Sequence, residues 1–220
     1  PAEFDPWRAS HQPFHWFAEF YALMRQGGFD VVMGNPPYLE SSQIAYYPRS
    51  LATVDSRAVH SMCVERALAV LVPNGGISMI LPMALTSTQR MQPTQQLIEA
   101  ERTTWYLNFG WRPSKLFDTV NRALSIFVAR SGADSHYPRL FCTGYQRWTS
   151  ADRHHLFGKL GLVGISEGQD NYWRPKVSHP IEIDILKKLQ QLPCRAERYW
   201  LNTAKGTSNC VYYRTTGDLY

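Results

Sequence analysis

The chain has 220 residues, of which 44% are hydrophobic, 13% aromatic and 19% charged. That is enough apolar material for a buried core and too little charge for a disordered tail, and no apolar run reaches the ~18–20 residues of a membrane helix. The net charge of +5 is unevenly placed: residues 1–110 hold 7 Arg, no Lys and 9 acidic residues, a balance of −2, and residues 111–220 hold 16 basic against 9 acidic residues, a balance of +7.

A basic second half has two readings, a polyanion partner with nucleic acid first among them, or a solvated surface that happens to be basic. The N-terminus has neither a basic start nor an apolar stretch, so it is not a signal peptide. It also lacks Met, which suggests a chain cut from something longer. Cys63, Cys142, Cys194 and Cys210 form no C-x-x-C pair and no His falls at zinc spacing around them, so no metal site is expected. Reduced thiols and a cytoplasmic setting follow.

In chain order, Phe14, Phe17, Phe20, Tyr21 and Met24 predict a helix that Gln26-Gly27-Gly28 ends. Phe29 to Gly34 predicts a short buried strand, stopped by Asn35-Pro36-Pro37-Tyr38. Residues 39–54 read as a polar loop. Residues 55–72 predict an amphipathic helix, Pro73-Asn74-Gly75-Gly76 a turn, and Ile77 to Leu81 a strand closed by Pro82. A helix over 87–101 follows, with Pro93 a point where it splits, then strands at Thr103–Phe109 and Ala123–Arg130. Strands separated by helices predict an α/β fold with a parallel sheet, and the last two strands an antiparallel edge hairpin. Beyond a boundary near 131–136 the pattern becomes a small α+β region. It has a strand-like stretch at 137–148, a loop at 164–176 and a helix at 180–192. Trp200 and Val211-Tyr212-Tyr213 suggest further short strands.

The segment with chemical content is Asn35-Pro36-Pro37-Tyr38, delivered at the C-terminal end of a strand, where ligands of open α/β sheets bind. The Asn35 side-chain carbonyl is an acceptor. Pro36 has no N–H and a rigid ring, so its carbonyl is held as a second acceptor. Two acceptors at one point suit an NH2 group, and Tyr38 offers a flat face for a planar ring. The plain alternative is that strand-Asn-Pro-Pro is simply a good way to end a strand. Tyr46 and Tyr47, in the loop that follows, are either DNA contacts or ordinary loop anchors. His154 and His155 read as surface residues.

At these residues the sequence resembles the S-adenosylmethionine-dependent amino-methyltransferases, and among them the N6-adenine DNA methyltransferases of restriction–modification and phage-exclusion systems. Their fourth motif, (Asp/Asn/Ser)-Pro-Pro-(Tyr/Phe/Trp), reads Asn35-Pro36-Pro37-Tyr38 here. The approach through His15-Trp16-Phe17 and Gly28-Phe29-Asp30, and the layout from Glu65 to Pro82, fit such enzymes. The resemblance covers residues 11–131.

The resemblance implies a Rossmann-like sheet and transfer of a methyl group from S-adenosylmethionine to the N6 of a flipped adenine. Asn35 and the Pro36 carbonyl would accept the amine hydrogens and Tyr38 would stack on the base. Phe117 matches the stacking aromatic of the family's eighth motif, with Trp111 a less favoured stand-in; the plain reading of Phe117 is core. Positioning and electrostatics would carry the reaction.

The family's Phe-x-Gly-x-Gly turn, which holds the cofactor, is absent from the 34 residues before Asn35, so the cofactor-binding residues are unassigned. The expectation is therefore the C-terminal half of a catalytic domain at 1–131 and the start of a target-recognition region, contacting double-stranded DNA, at 132–220. Alone it would bind cofactor weakly or not at all, would be inactive, and would expose a strand edge open to self-association. Two alternatives stand beside this: an amino-methyltransferase acting on protein glutamine or RNA, and a non-catalytic DNA-binding or assembly fragment.

Overall fold

Runs of apolar residues bounded by glycine and proline place the strands, and the computed structural model assembles them into one mixed sheet of six. The structure describes residues 4–12, 14–45, 48, 50–132, 139–165 and 172–191. The strands are β1 (Phe29–Gly34), β2 (Leu71–Pro82), β3 (Arg102–Phe109), β4 (Leu124–Ser131), β5 (Leu140–Gln146) and β6 (Leu162–Ile165). Their order across the sheet is β1-β2-β4-β3-β5-β6. β1 is parallel to β2, and β3 to β5; β4 is antiparallel to both β2 and β3, and β6 to β5. The helices are α1 (Phe4–His11), α2 (Trp16–Glu19), α3 (Tyr21–Arg25), α4 (Val59–Ala69), α5 (Gln92–Glu99) and α6 (Pro180–Gln191). The α/β class read from the sequence is the class observed.

A parallel pair needs a crossover, and α4 supplies the one between β1 and β2, burying Met62, Val64 and Ala67. Phe29 enters β1 by donating its N–H to the Val70 carbonyl at 2.8 Å. The preceding Gly28 has φ 124°, and a Cβ there would collide with that same carbonyl. One continuous core joins α4, β2, β3, β4, α5, β5 and β6 through Val64, Ile77, Leu81, Ile98, Tyr106, Phe127, Cys142 and Ile165. Each large apolar side chain fully buried there contributes about 1.5–3 kcal/mol relative to exposure.

Several expectations are corrected. The helix over Phe14–Met24 is broken into α2 and α3 at Phe20, whose backbone leaves the helical region. The helix over 55–72 is a short 3-10 turn, Val54–Ser56, and then α4, because Leu71 and Val72 already belong to β2. Pro73–Gly76 bulges within β2 instead of preceding it: pairing jumps from Phe29–Leu71 to Val31–Gly76. Pro93 opens α5 in its first turn, where its missing N–H has no partner to lose.

β1 is not buried: Val31 is 59% and Met33 77% exposed, and β1's outer edge pairs with no strand among the described residues. The β3–β4 hairpin forms, but not at the sheet edge. β4 lies between β2 and β3, and β5 occupies the far side of β3. β5 and β6, which follow residues 131–136 in the chain, belong to the same sheet as β1 to β4. β6 forms at the start of a stretch expected as loop, and α1 had no expectation. Tyr46, Tyr47, Cys194, Trp200, Cys210 and residues 211–213 lie outside the described residues.

Two polar devices fix the far half of the sheet. Asn108 bridges three strands: its side-chain N–H donates to the Thr143 carbonyl at 3.0 Å, and its Oδ1 accepts from Ser125 at 3.1 Å. Residues 172–178 are strapped across α5. Arg174 donates to both Glu99 carboxylate oxygens at 2.8 Å, Tyr106 donates to Glu99 at 2.9 Å, and Lys176 donates to Ser87 at 3.1 Å. Gly144 lets this strap approach β5, since a Cβ there would collide with Ser178.

Candidate active site

The strand directions decide which loops meet. Gly34 pairs with Met79 near the end of β2, Pro82 pairs with Leu124 at the start of β4, and Leu124 and Gln146 both pair with Phe109. The Asn35–Tyr38 turn, the 3-10 turn Met83–Thr86 and the 110–123 connection therefore leave from one sheet edge. The segment after Gln146 leaves there too. Phe117 and Trp111 lie on the third of these, so the topology brings them to the same edge as the turn.

Within the turn, Asn35 and Pro37 are exposed and Pro36 and Tyr38 half-buried. The Asn35 side chain carries no hydrogen bond among the described residues. Its carbonyl and amide are thus open to a ligand at the strand end. Tyr38 is fixed instead: its hydroxyl donates to the Ile80 carbonyl on β2 at 3.0 Å. Burial pushes its phenol up to about 12, against a smaller opposing effect of the nearby Arg122 charge, so it remains a protonated donor. Phe117 is half-buried, with no ring contact to Tyr38 among the described residues. Trp111 carries the Arg112 guanidinium over its face at 4.0 Å.

The loop after the turn, expected to be irregular, is held by carboxylates. Glu40 forms a two-pronged pair with Arg90, at 2.7 and 2.8 Å. That contact, with the Arg90 charge, draws its carboxyl below the usual range. Glu65 of α4 accepts from the backbone N–H of Ala52 and Thr53 and from the Thr53 hydroxyl, at 2.8–2.9 Å. Sequence reasoning missed these anchors, and it missed His60. That imidazole, on the first turn of α4, stands perpendicular to the Tyr38 ring with centroids 6.3 Å apart.

Cations paired with aromatics continue along the edge: Arg147 lies over Tyr145 at 5.8 Å and Arg153 over Trp148 at 5.0 Å. Beside β1, an apolar cavity of about 430 Å³ is lined by Trp16, Phe29, Val31, Met33, Cys63 and Met79. Cys63 and Cys142 are free thiols. Among the described residues no three His, Cys, Asp or Glu side chains are grouped to hold a metal ion, and no helix is long and apolar enough to cross a membrane. The open groups at the turn are the Asn35 side-chain amide and the backbone of a proline pair. Those groups do not suit the methionine end of a sulfonium cofactor, which needs a glycine-rich cradle that Asn35-Pro36-Pro37-Tyr38 does not provide.

The fold is a six-stranded mixed α/β sheet whose parallel strand β1 ends in the Asn35-Pro36-Pro37-Tyr38 turn. Residues 3–117, more than half of the chain, match the Eco57I restriction-modification methylase family, and the chain belongs to that family. Among solved structures, the chain is similar to the DrdV–DNA complex, with TM-score 0.52 and 13% identity over 68% of this chain and 19% of that one. It is also similar to a nuclease-deletion mutant of the Type ISP restriction-modification enzyme LlaGI with a DNA substrate mimic, with TM-score 0.49 and 14% identity over 70% and 16% of the two chains. A type I methyltransferase subunit from Streptococcus thermophilus gives TM-score 0.42 and 12% identity over 63% and 35%. The chain thus spans less than a fifth of the DrdV chain's length. No curated protein matches it.

Proposed function

We propose that this chain carries the target-amine pocket of a restriction–modification DNA methyltransferase acting on adenine N6, with S-adenosyl-L-methionine as methyl donor, in the cytoplasm. In this reading, residues 1–131 are the C-terminal half of the catalytic domain, and residues 132–220 begin the target-recognition region. The observation that supports it most is the pairing of an open Asn35 with an anchored Tyr38 at the C-terminal end of a parallel strand, in a chain of this family. When bound, the cofactor supplies an electrophilic methyl group.

The residues here hold the acceptor. Asn35 and the Pro36 carbonyl accept the two amine hydrogens, turning the nitrogen lone pair out of conjugation. Pro37 stiffens the turn, and Tyr38, with Phe117 from the facing connection, stacks on the flipped base. The basic residues of the edge lie along the phosphates of double-stranded DNA.

The test is methyl incorporation into DNA, with cofactor binding followed calorimetrically in parallel, in the protein that contains this chain. Asn35→Ala is expected to remove methyl transfer and leave thermal unfolding unchanged. Normal turnover in that variant overturns the assignment. The outer edge of β1, unpaired among the described residues and flanked by the exposed Val31 and Met33, supports a second element of the proposal: pairing with another copy of the chain at high concentration.

A further inference from the structure

His60 is 4% exposed, and neither ring nitrogen has a hydrogen-bond partner among the described residues. Leaving a buried polar atom unpaired costs about 1–3 kcal/mol, so an imidazole is a poor choice of filler where an apolar side chain would pack. The charged groups around it are Glu40, whose carboxylate favours its protonation, and Arg90 and Arg122, which oppose it. Burial, with the two guanidinium charges acting in the same direction, outweighs Glu40 and leaves the ring uncharged near neutrality, with its midpoint lowered to about 4. Among the described residues, the ring it meets is Tyr38, at 6.3 Å and 88°. Among the described residues, the hydrogen bond that holds Tyr38 is at its tip, from the hydroxyl to Ile80. A single bond at the tip leaves the ring free to rotate about its long axis. A perpendicular neighbour removes that freedom.

We propose that His60 is a positioning residue that sets the plane of the Tyr38 ring and so the attitude in which it receives a planar base. It acts through Tyr38 and does not touch the substrate. The functional half of this statement rests on the stacking role given to Tyr38 above; the geometric half does not.

The experiment uses the 220-residue chain with 13C-labelled tyrosine rings, the Tyr38 signals being assigned by Tyr38→Phe, and adenosine as probe. Tyr38 ring signals are expected to shift with acid as His60 protonates, and to lose that shift in His60→Phe. His60→Ala is expected to broaden them as the ring begins to turn, and His60→Phe to restore a single attitude. Adenosine binding is expected to weaken about tenfold in His60→Ala, equivalent to about one aromatic stacking contact, and to recover in His60→Phe.

Unchanged Tyr38 signals in both variants overturn the proposal, and His60→Phe decides it should His60→Ala not fold. Adenosine binding that ignores Tyr38→Ala removes the stacking role, and the Tyr38 signals then still decide the geometry. Binding that needs Tyr38 but is equal in all His60 variants overturns the inference alone.

Discussion

Because the Tyr38 hydroxyl is committed to Ile80, its ring is the only part left to serve a ligand, and its neighbours become part of the site. His60 is the neighbour with a measurable signature. Its midpoint is lowered from 6.5 in the unfolded chain to about 4 in the fold. Above pH 6.5 neither state is protonated and the group is silent. As pH falls the unfolded chain takes up the proton first, so stability is lost from pH 6.5 down and the loss is complete below about pH 4. The shift corresponds to roughly 3 kcal/mol. Urea unfolding of the wild type and His60→Phe is therefore expected to diverge across that window, with the variant losing less. Parallel curves would show that the imidazole is not held neutral. Asn35 is the contrasting case: exposed and without a hydrogen bond among the described residues, it should tolerate Asn35→Ala with a stability change within about 0.5 kcal/mol.

Elements tied by buried charge behave differently. The strap at 172–178 is fastened to α5 and β3 by Arg174, Glu99 and Tyr106, with the Arg174 side chain 7% exposed. Removing one partner strands the other. Arg174→Met is expected to destabilise the fold by about 3 kcal/mol. The double change Arg174→Met with Glu99→Gln should lose less than Arg174→Met alone, and equal or greater loss in the double variant would show that the ion pair itself carries the stability.

This contact also marks what was legible. β1, α4, β2, α5, β3 and β4 were readable because each announces itself in a window of about ten residues, by apolar period, glycine or proline. The turn at Asn35–Tyr38 was readable for the same reason. The placement of β4 between β2 and β3 was not, since strand order has no local signature. Nor were Glu99–Arg174, Glu40–Arg90 or His60 against Tyr38. These join residues 75, 50 and 22 positions apart, and nothing in either partner's own stretch names the other.

For the molecule as a whole, the charge asymmetry can be weighed against the sheet. Arg112, Arg147 and Arg153 stand on aromatic faces along the edge that carries the Asn35–Tyr38 turn. If that edge follows a DNA backbone, affinity falls linearly on a log–log plot against salt, with a slope near −0.9 for each phosphate neutralised. A duplex-binding isotherm at several salt concentrations measures this, and a flat response removes the DNA partner from the proposal. Arg112→Ala should reduce the slope by about one while leaving the fold unchanged.

The stretch shared with the restriction-modification methylase family ends at residue 117, yet β4 begins at Leu124 and occupies the space between β2 and β3. A gene fragment cut where the similarity stops would encode β1, β2 and β3, with nothing between β2 and β3. Both inner edges of the sheet would be bare, and Tyr106, Ile77 and Leu81 would lose the wall that Phe127 provides. The end of the family match and the limit of foldability fall at different places in this chain. An excised domain has to run past Ile165 to keep β4 in its slot and β5 and β6 on the flank of β3.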